Sequence, residues 1–146
     1  MAEVDVLTEA VIPLPVAEVA GYAADPANAP RGYANIATVE WETAPPVAGS
    51  RVAFVARFLG RRIAYTYEVV EYEPRQRLVM RTAQGPFPME TTYTWTSVEG
   101  GTRMTLRNRG TPAWFGVVAA PVIAAAMRRA NQKDLRALAA VLAQRR

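Results

Sequence analysis

The C-terminal part of the chain carries one unbroken helical pattern, from Pro112 to Arg146, whose polarity changes halfway along. From Trp114 to Met127 nearly every side chain is apolar, whereas from Arg128 onward apolar and cationic side chains separate onto opposite faces. A helix that is apolar on every side is buried on every side. We therefore expect the first half of this helix to have a sheet on one side and a second apolar space on the other. A ligand cavity is one candidate for that space.

The sequence before this helix predicts mainly strands joined by short turns. Alternation of apolar and polar residues predicts a strand over Val4 to Ile12. A short helix over Val16 to Tyr22 opens just after a proline, and further prolines interrupt the next stretch, which forms a second short helical segment ending near Ile36. Six more strands are predicted by alternation and turn residues, over Ala37–Glu42, Arg51–Leu59, Ile63–Glu73, Arg77–Ala83, Phe87–Val98 and Thr102–Arg109.

Strands that succeed one another through short turns form an antiparallel meander. The element order therefore predicts an α+β fold, in which a curved seven-stranded antiparallel sheet wraps around the long C-terminal helix and two short helices come after the first strand. Residues 1–146 are expected to form one domain with its own core. A composition of 51% hydrophobic and 21% charged residues is typical of a globular protein and argues against disorder.

The chain contains no cysteine and no histidine. Their absence excludes disulfides, thiol nucleophiles, Ser–His triads and nearly all zinc or iron sites, so we expect no metal and no cofactor. Any acid–base chemistry must use carboxylates, tyrosine, arginine, asparagine, threonine or a bound water.

Charge and hydropathy narrow the possible partners. The net charge of +4 comes from arginines scattered among acids, and no basic stripe interleaved with aromatics indicates a nucleic acid partner. No run of about 18 apolar residues is free of charge and proline, so no membrane-spanning segment is expected. The acidic N-terminus lacks the features of a signal peptide, which favours a cytoplasmic protein. The sequence leaves open whether the protein is a monomer or a homodimer.

Together with this element order, the segments Thr91–Trp95, Gly100–Asn108 and Met127–Leu135 resemble the SRPBCC superfamily, the helix-grip fold of START domains and birch-pollen-allergen-like proteins. The local pattern is most similar to that of bacterial polyketide cyclase/dehydrase members. The resemblance implies a deep apolar cavity between the concave sheet and the long helix, for a lipid, a polyketide or another hydrophobic molecule.

The resemblance also implies roles for particular residues. Arg81, which precedes a Gly-Pro-Phe stretch, is similar in position to a pocket arginine of the aromatase/cyclases, and Asn108 and Asn131 match polar pocket residues of those enzymes. The chain departs from them at Ala29 and Ile36, where a tryptophan and a pocket tyrosine are replaced, and it lacks a helix histidine that some members carry.

Two asparagines are candidate site residues even when the family resemblance is set aside. Asn131 lies four residues after Met127 and four before Leu135, on the stripe expected to face the sheet. Asn108 shares the strand phase of apolar residues. A buried amide costs a few kcal/mol unless it is hydrogen-bonded, so each asparagine either binds a ligand or cavity water, or pairs with a sheet group. If both point into one space, they form its polar end.

Glu68 and Arg81 are the candidate catalytic groups. In the stretch from Ile63 to Tyr72 two apolar phases conflict: either a bulge switches the phase, or the even face is inward throughout and Glu68 enters the cavity as a general acid or base. The alternative is a solvated glutamate that faces an arginine. Arg81 comes directly after Met80, so alternation directs it outward, and a cavity role requires the strand end to turn it inward.

We predict a binding or carrier module for a hydrophobic small molecule, with affinity from apolar burial. The alternative is a polyketide cyclase/aromatase-type enzyme that folds and dehydrates a reactive chain, using Arg81, Glu68 or bound water. A weaker alternative is a toxin or regulatory partner protein. Tyr33 is predicted to gate the entrance, and Asn108 and Asn131 to anchor the ligand in a pocket lined by Phe54, Phe58, Met80, Phe87, Met89, Tyr93, Trp95, Leu106, Trp114, Val118, Val122 and Met127.

Overall fold

The computed structural model describes residues 4–24, 28, 36–41, 48–58, 61–84, 88–110 and 120–144. These residues form seven strands and two helices: β1 (Val4–Ile12), α1 (Val16–Ala23), β2 (Ile36–Trp41), β3 (Arg51–Phe58), β4 (Arg61–Glu73), β5 (Arg77–Gln84), β6 (Met89–Val98), β7 (Gly101–Gly110) and α2 (Ala120–Gln144). The predicted α+β class, with an antiparallel sheet and a C-terminal helix, is confirmed. The predicted second short helix lies outside the described residues.

The strands form one antiparallel sheet in the order β1-β7-β6-β5-β4-β3-β2. From β2 to β7 each strand pairs with its neighbour in sequence, and β1 then lies beside β7. The two strands that flank α1 in sequence therefore lie at opposite edges of the sheet. α1 begins directly after Pro15, whose carbonyl oxygen accepts hydrogen bonds from the amides of Glu18 and Val19.

One face of the sheet packs against α2. In β1 the buried residues alternate with the exposed Asp5, Leu7, Glu9 and Val11, and the strand lies against α2. The Thr8 hydroxyl donates to the carbonyl of Leu106 on β7, which ties the edge strand to its neighbour. The period-two pattern that predicted β1 therefore determines which side of the sheet the helix covers.

A bulge in β4 resolves the phase conflict in this strand. The register against β5 shifts between Val69 and Glu71, which leaves one extra residue on β4. Before the bulge Ile63, Tyr67 and Val69 are buried, and after it Tyr72 packs against the same core. The bulge alternative is therefore confirmed.

The core contains two apolar clusters along α2. The Ile123 cluster consists of Val4, Val6, Ile63, Ile123 and Met127. The larger Leu138 cluster includes Leu135, Leu138 and Leu142 together with sheet and α1 residues, among them Ile12, Val19, Val69, Leu78, Met104 and Leu106. Asn131 and Asp134 are buried on the stretch of α2 between Met127 and Leu135, where the two clusters meet. Among the described helices, none is both long and apolar enough to cross a membrane.

Candidate functional site

Four polar side chains cross the interior from β4 to α2 in one hydrogen-bonded chain. The Tyr67 hydroxyl lies 2.7 Å from the Thr91 hydroxyl, which donates to Asn108 Oδ1 at 2.5 Å. Asn108 Nδ2 in turn donates to Asn131 Oδ1 at 3.1 Å. The sheet contributes three members of this chain from three strands, and the helix contributes the fourth. We call these four residues the Tyr67–Asn131 chain.

The hydrogen bonds of the Tyr67–Asn131 chain run in one direction, from Tyr67 to Asn131. Thr91 has one hydroxyl proton and gives it to Asn108, so Tyr67 must donate its own proton to Thr91. Asn131 then receives the Asn108 amide on its oxygen and keeps its own Nδ2 amide as the last donor. That Nδ2 is buried and has no hydrogen-bond partner among the residues that the structure describes. A buried unsatisfied donor costs about 1–3 kcal/mol, so this end of the chain is suited to an acceptor on a ligand.

Strand register and helical spacing explain why these residues meet. Thr91 and Asn108 are opposite each other on β6 and β7. Asn108 continues the inward phase of Met104 and Leu106, as alternation predicts. Asn131 lies one helical turn from each of the apolar residues that flank it on the buried stripe. The hydrogen bond between the two asparagines shows that their side chains meet, which is the condition under which they would form one polar end.

Aromatic side chains pack around Tyr67, the first member of the Tyr67–Asn131 chain. The ring centroids of Tyr65 and Tyr67 lie 4.8 Å apart, and the Phe54 ring stacks on Tyr65 at 5.5 Å. Burial raises the pKa of Tyr67 to about 12, against an opposing effect of its hydrogen bond with Thr91. Burial also raises the pKa of Tyr65 well above its ordinary range, with Tyr67, Tyr93 and Asp134 adding to the shift. Both tyrosines are therefore protonated at neutral pH, and Tyr67 is a donor.

The sequence interpretation missed Asp134 as a site residue. Its side chain is buried on the sheet-facing side of α2, and its charge acts on Tyr65. Helical spacing carried the signal, because Asp134 lies three residues after Asn131 and four before Leu138. The same spacing that directs those residues inward also directs this carboxyl group inward.

The family is shown by comparison with known proteins. A family model for polyketide cyclase / dehydrase and lipid transport matches residues 3–143. The chain belongs to this family. The predicted resemblance to the superfamily and to its cyclase/dehydrase members is thereby confirmed. No functionally curated protein is similar enough to the chain to match it.

Solved structures show the same fold at low sequence identity. A protein from Thermus thermophilus superposes with a TM-score of 0.83 at 22% identity, covering 96% of this chain and 97% of that one. The Zhui aromatase/cyclase from Streptomyces sp. R1128 gives 0.82 at 16% identity, covering 99% and 96%. A START superfamily protein from Mycobacterium smegmatis gives 0.79 at 14% identity, covering 99% of each chain. At these identities the likeness shows the fold alone.

Several residues predicted to line the pocket of this cyclase/dehydrase family member lie on the helix-facing side of the sheet or on the buried stripe of α2. Phe54, Met80, Trp95, Leu106 and Met127 are buried, and Met89 and Tyr93 are partly buried against the same clusters. The indole Nε1 of Trp95 is a second buried donor for which the described ranges of the structure hold no hydrogen-bond partner. The side chains of Tyr33, Phe58, Phe87, Trp114 and Val118 lie outside the described part of the structure.

The two candidate catalytic groups lie on the outer face of the sheet. The Glu68 side chain is 40% exposed and pairs with Arg51 at 3.4 Å, as the solvated alternative predicts. The Arg81 side chain is 63% exposed, and its Nε donates to Glu90 Oε2 at 2.7 Å. β5 pairs regularly with β6 from Arg77 to Arg81, which places Arg81 directly opposite Glu90. The prediction that either group enters the cavity is therefore not supported.

Val122 also departs from its predicted position. It is 58% exposed, whereas the next residue, Ile123, is fully buried. Ala125 is exposed too, so over residues 121–127 α2 is buried along one stripe and not on every side. The expectation of all-round burial is wrong there, because Pro121, Val122 and Ala125 are exposed. Within the described residues, no three Asp or Glu side chains converge as metal ligands.

Proposed function

We propose that this chain, as one unit, binds an uncharged hydrophobic small molecule between the sheet and α2, with the Asn131 amide as its polar anchor. The observation that carries the proposal is the end of the Tyr67–Asn131 chain, a buried Nδ2 donor with no partner in the described part of the chain. Membership of a family described by cyclase, dehydrase and lipid-transport functions supports the same class of ligand.

Apolar contacts would supply most of the affinity. The Asn131 amide lies where the Ile123 and Leu138 clusters meet, so a ligand beside it would touch apolar side chains on both sides. Burying apolar surface contributes about 25 cal/mol per Å². Pockets of this kind combine an apolar lining with a few placed polar groups that fix orientation. We propose Phe54, Met80, Met89, Tyr93, Trp95 and Leu106 as lining residues. Tyr33, Phe58, Phe87, Trp114 and Val118 stay predictions.

The direction of the hydrogen bonds in the Tyr67–Asn131 chain specifies which polar group the ligand must carry. Tyr67, Thr91 and Asn108 each donate to the next member, and the amide left without an acceptor among the described residues is that of Asn131. The ligand must therefore present an acceptor, such as a ketone or ester oxygen. The buried carboxyl of Asp134 is close by and would repel an anionic group. A neutral carbonyl therefore fits better than a carboxylate.

Three matched probes test this proposal: acetylnaphthalene, ethylnaphthalene and naphthoate, titrated by fluorescence. We expect the ketone to bind about fivefold or more tightly than the hydrocarbon, because one hydrogen bond is worth about 1 kcal/mol. Naphthoate should bind least. Asn131→Leu should remove the preference for the ketone, and Gln132→Leu, at the adjacent exposed position, should keep it. Failure of all three probes to bind would contradict the proposal.

An enzyme of the cyclase type is the second candidate, favoured by the likeness to an aromatase/cyclase. With Arg81 and Glu68 on the outer face, proton transfer would require Asp134, the protonated tyrosines or a bound water. Incubation with a short poly-β-ketone distinguishes the two functions. An aromatic product that requires Asp134, tested with Asp134→Asn, would favour the enzyme. Binding without turnover would favour the carrier.

A further inference from the structure

The side of α2 that faces away from the sheet carries cations without anionic partners. Arg128, Arg129, Lys133 and Arg136 are all exposed. Within the part of the chain that the structure describes, none of them has a carboxylate at ion-pair distance. On the outer face of the sheet four arginines are paired with acids, as in Arg81–Glu90 and Arg107–Asp5, and the exposed Arg57, Arg62 and Arg103 are divided among β3, β4 and β7.

Helical geometry concentrates this charge on one side. At 3.6 residues per turn Arg129, Lys133 and Arg136 share one arc opposite the buried stripe of Met127, Asn131 and Leu135, whereas Arg128 lies at the edge of that stripe. Asp134 is the helix's one acid, and it is buried on the sheet side. Val122 extends the same arc toward the start of the helix and is 58% exposed. We call Val122, Arg129, Lys133 and Arg136 the basic face of α2.

We propose that the basic face docks α2 flat against an anionic lipid surface. Cations that share one side of a straight helix can all reach a planar layer of phosphate headgroups at once. Each Lys or Arg near such a surface strengthens binding about fivefold, equivalent to about 1 kcal/mol. Val122, beside them, can enter the interfacial region. The outer face of the sheet offers a weaker attraction, because four of its arginines are neutralised in ion pairs.

The composition of the basic face favours lipid over an acidic protein. Stable protein interfaces are centred on large anchors such as tryptophan, tyrosine or leucine that fill pockets of the partner. The exposed residues between and beside these cations are Ala125, Gln132 and Ala140, which offer no such anchor. Lipid headgroups need no matching pockets, since they rearrange around each cation. This inference stands independently of whether a ligand occupies the interior.

Vesicle co-sedimentation of the intact protein tests the proposal. We expect binding to vesicles of equal parts phosphatidylglycerol and phosphatidylcholine at low salt, and none to phosphatidylcholine alone. Binding should weaken at about 0.15 M salt, where charges are screened beyond roughly 8 Å. Arg129→Gln/Lys133→Gln/Arg136→Gln should lose about a hundredfold in partitioning, from about fivefold per cation. Its thermal midpoint should match the parent, because all three side chains are exposed.

A charge-matched control separates the basic face from net charge. Arg57→Gln/Arg62→Gln/Arg103→Gln removes three exposed sheet cations and should change binding less than about threefold, because these residues do not face the membrane in this orientation. Equal losses in the two variants would overturn the proposal. The proposal would also be overturned if the unmutated protein did not bind anionic vesicles, even if it bound polyglutamate. Equal binding to neutral and anionic vesicles would overturn it as well.

Discussion

The two faces of the sheet hold polar groups of different kinds. On the helix-facing side, neutral side chains form the buried Tyr67–Asn131 chain. On the outer face, Glu68 and Arg81 pair with acids or bases that are themselves partly exposed. Taking an isolated charge out of water costs far more than taking out an amide or hydroxyl. The inner face therefore keeps groups that satisfy one another, and its chemistry toward a ligand is that of a neutral donor.

The largest contrast between the faces concerns packing. Leu138 is fully buried, whereas Leu7 is 59% exposed on the outer face. Leu138→Ala should lower the free energy of unfolding by about 2–5 kcal/mol, because it removes apolar contacts and leaves a cavity. Leu7→Ala should change it by less than about 0.5 kcal/mol. Denaturant titration measures both, and similar losses would contradict the assignment of the two faces.

The raised pKa values of the buried tyrosines predict that the free energy of unfolding falls at alkaline pH. With the pKa of Tyr67 raised to about 12, the folded chain keeps a proton that the unfolded chain loses near pH 10. Stability is therefore fully present below about pH 10 and falls as the pH approaches 12, by roughly 2–3 kcal/mol at most. Tyr65 acts in the same direction. Tyr67→Phe should show a smaller loss over this range in denaturant midpoints taken at increasing pH. An unchanged slope would refute this assignment.

Substitution in the middle of the Tyr67–Asn131 chain should lower the free energy of unfolding by less than the loss of Leu138. Thr91→Val removes both the acceptor of Tyr67 and the donor to Asn108, which should cost about 1–3 kcal/mol of unfolding free energy. Thr96→Val, on the exposed side of the same strand, should be nearly neutral. The comparison of the two valine variants by thermal unfolding isolates the hydrogen bonds from strand propensity.

The outer ion pairs predict the smallest effect. Arg81→Gln should change the free energy of unfolding by less than about 1 kcal/mol, because exposed ion pairs contribute little. It should leave the affinity for acetylnaphthalene unchanged. A loss of binding comparable to that of Asn131→Leu would place Arg81 in the site and contradict the outward assignment.

The sequence predicted the parts of this site that depend on local periodicity. The spacing of Asn131 between Met127 and Leu135, and the phase of Asn108 with Leu106, both result from helical and strand repeats. The bulge at Val70 could not be predicted with confidence from β4 alone, because register depends on how β5 pairs with it. Glu68 was therefore left with two alternatives that only the pairing could separate.

The remaining differences come from tertiary contacts. Hydropathy marked Val122 as core, yet its burial depends on what lies beside that part of α2. Asp134 is buried although it carries a charge, because its helical position directs it inward. The hydrogen-bond direction from Tyr67 to Asn131 also needs three strands and a helix in place. No single segment of sequence contains it.

The central claim is that the Asn131 Nδ2 amide donates a hydrogen bond to an acceptor atom of the ligand. Nitrogen-15 NMR of the side-chain amides tests it directly, with the Asn131 resonance assigned by its loss in Asn131→Leu. On addition of acetylnaphthalene we expect the Asn131 amide proton to move downfield as it forms a hydrogen bond, and to move much less with ethylnaphthalene. If both probes bind and shift this proton equally, or leave it unmoved, Asn131 is not the anchor.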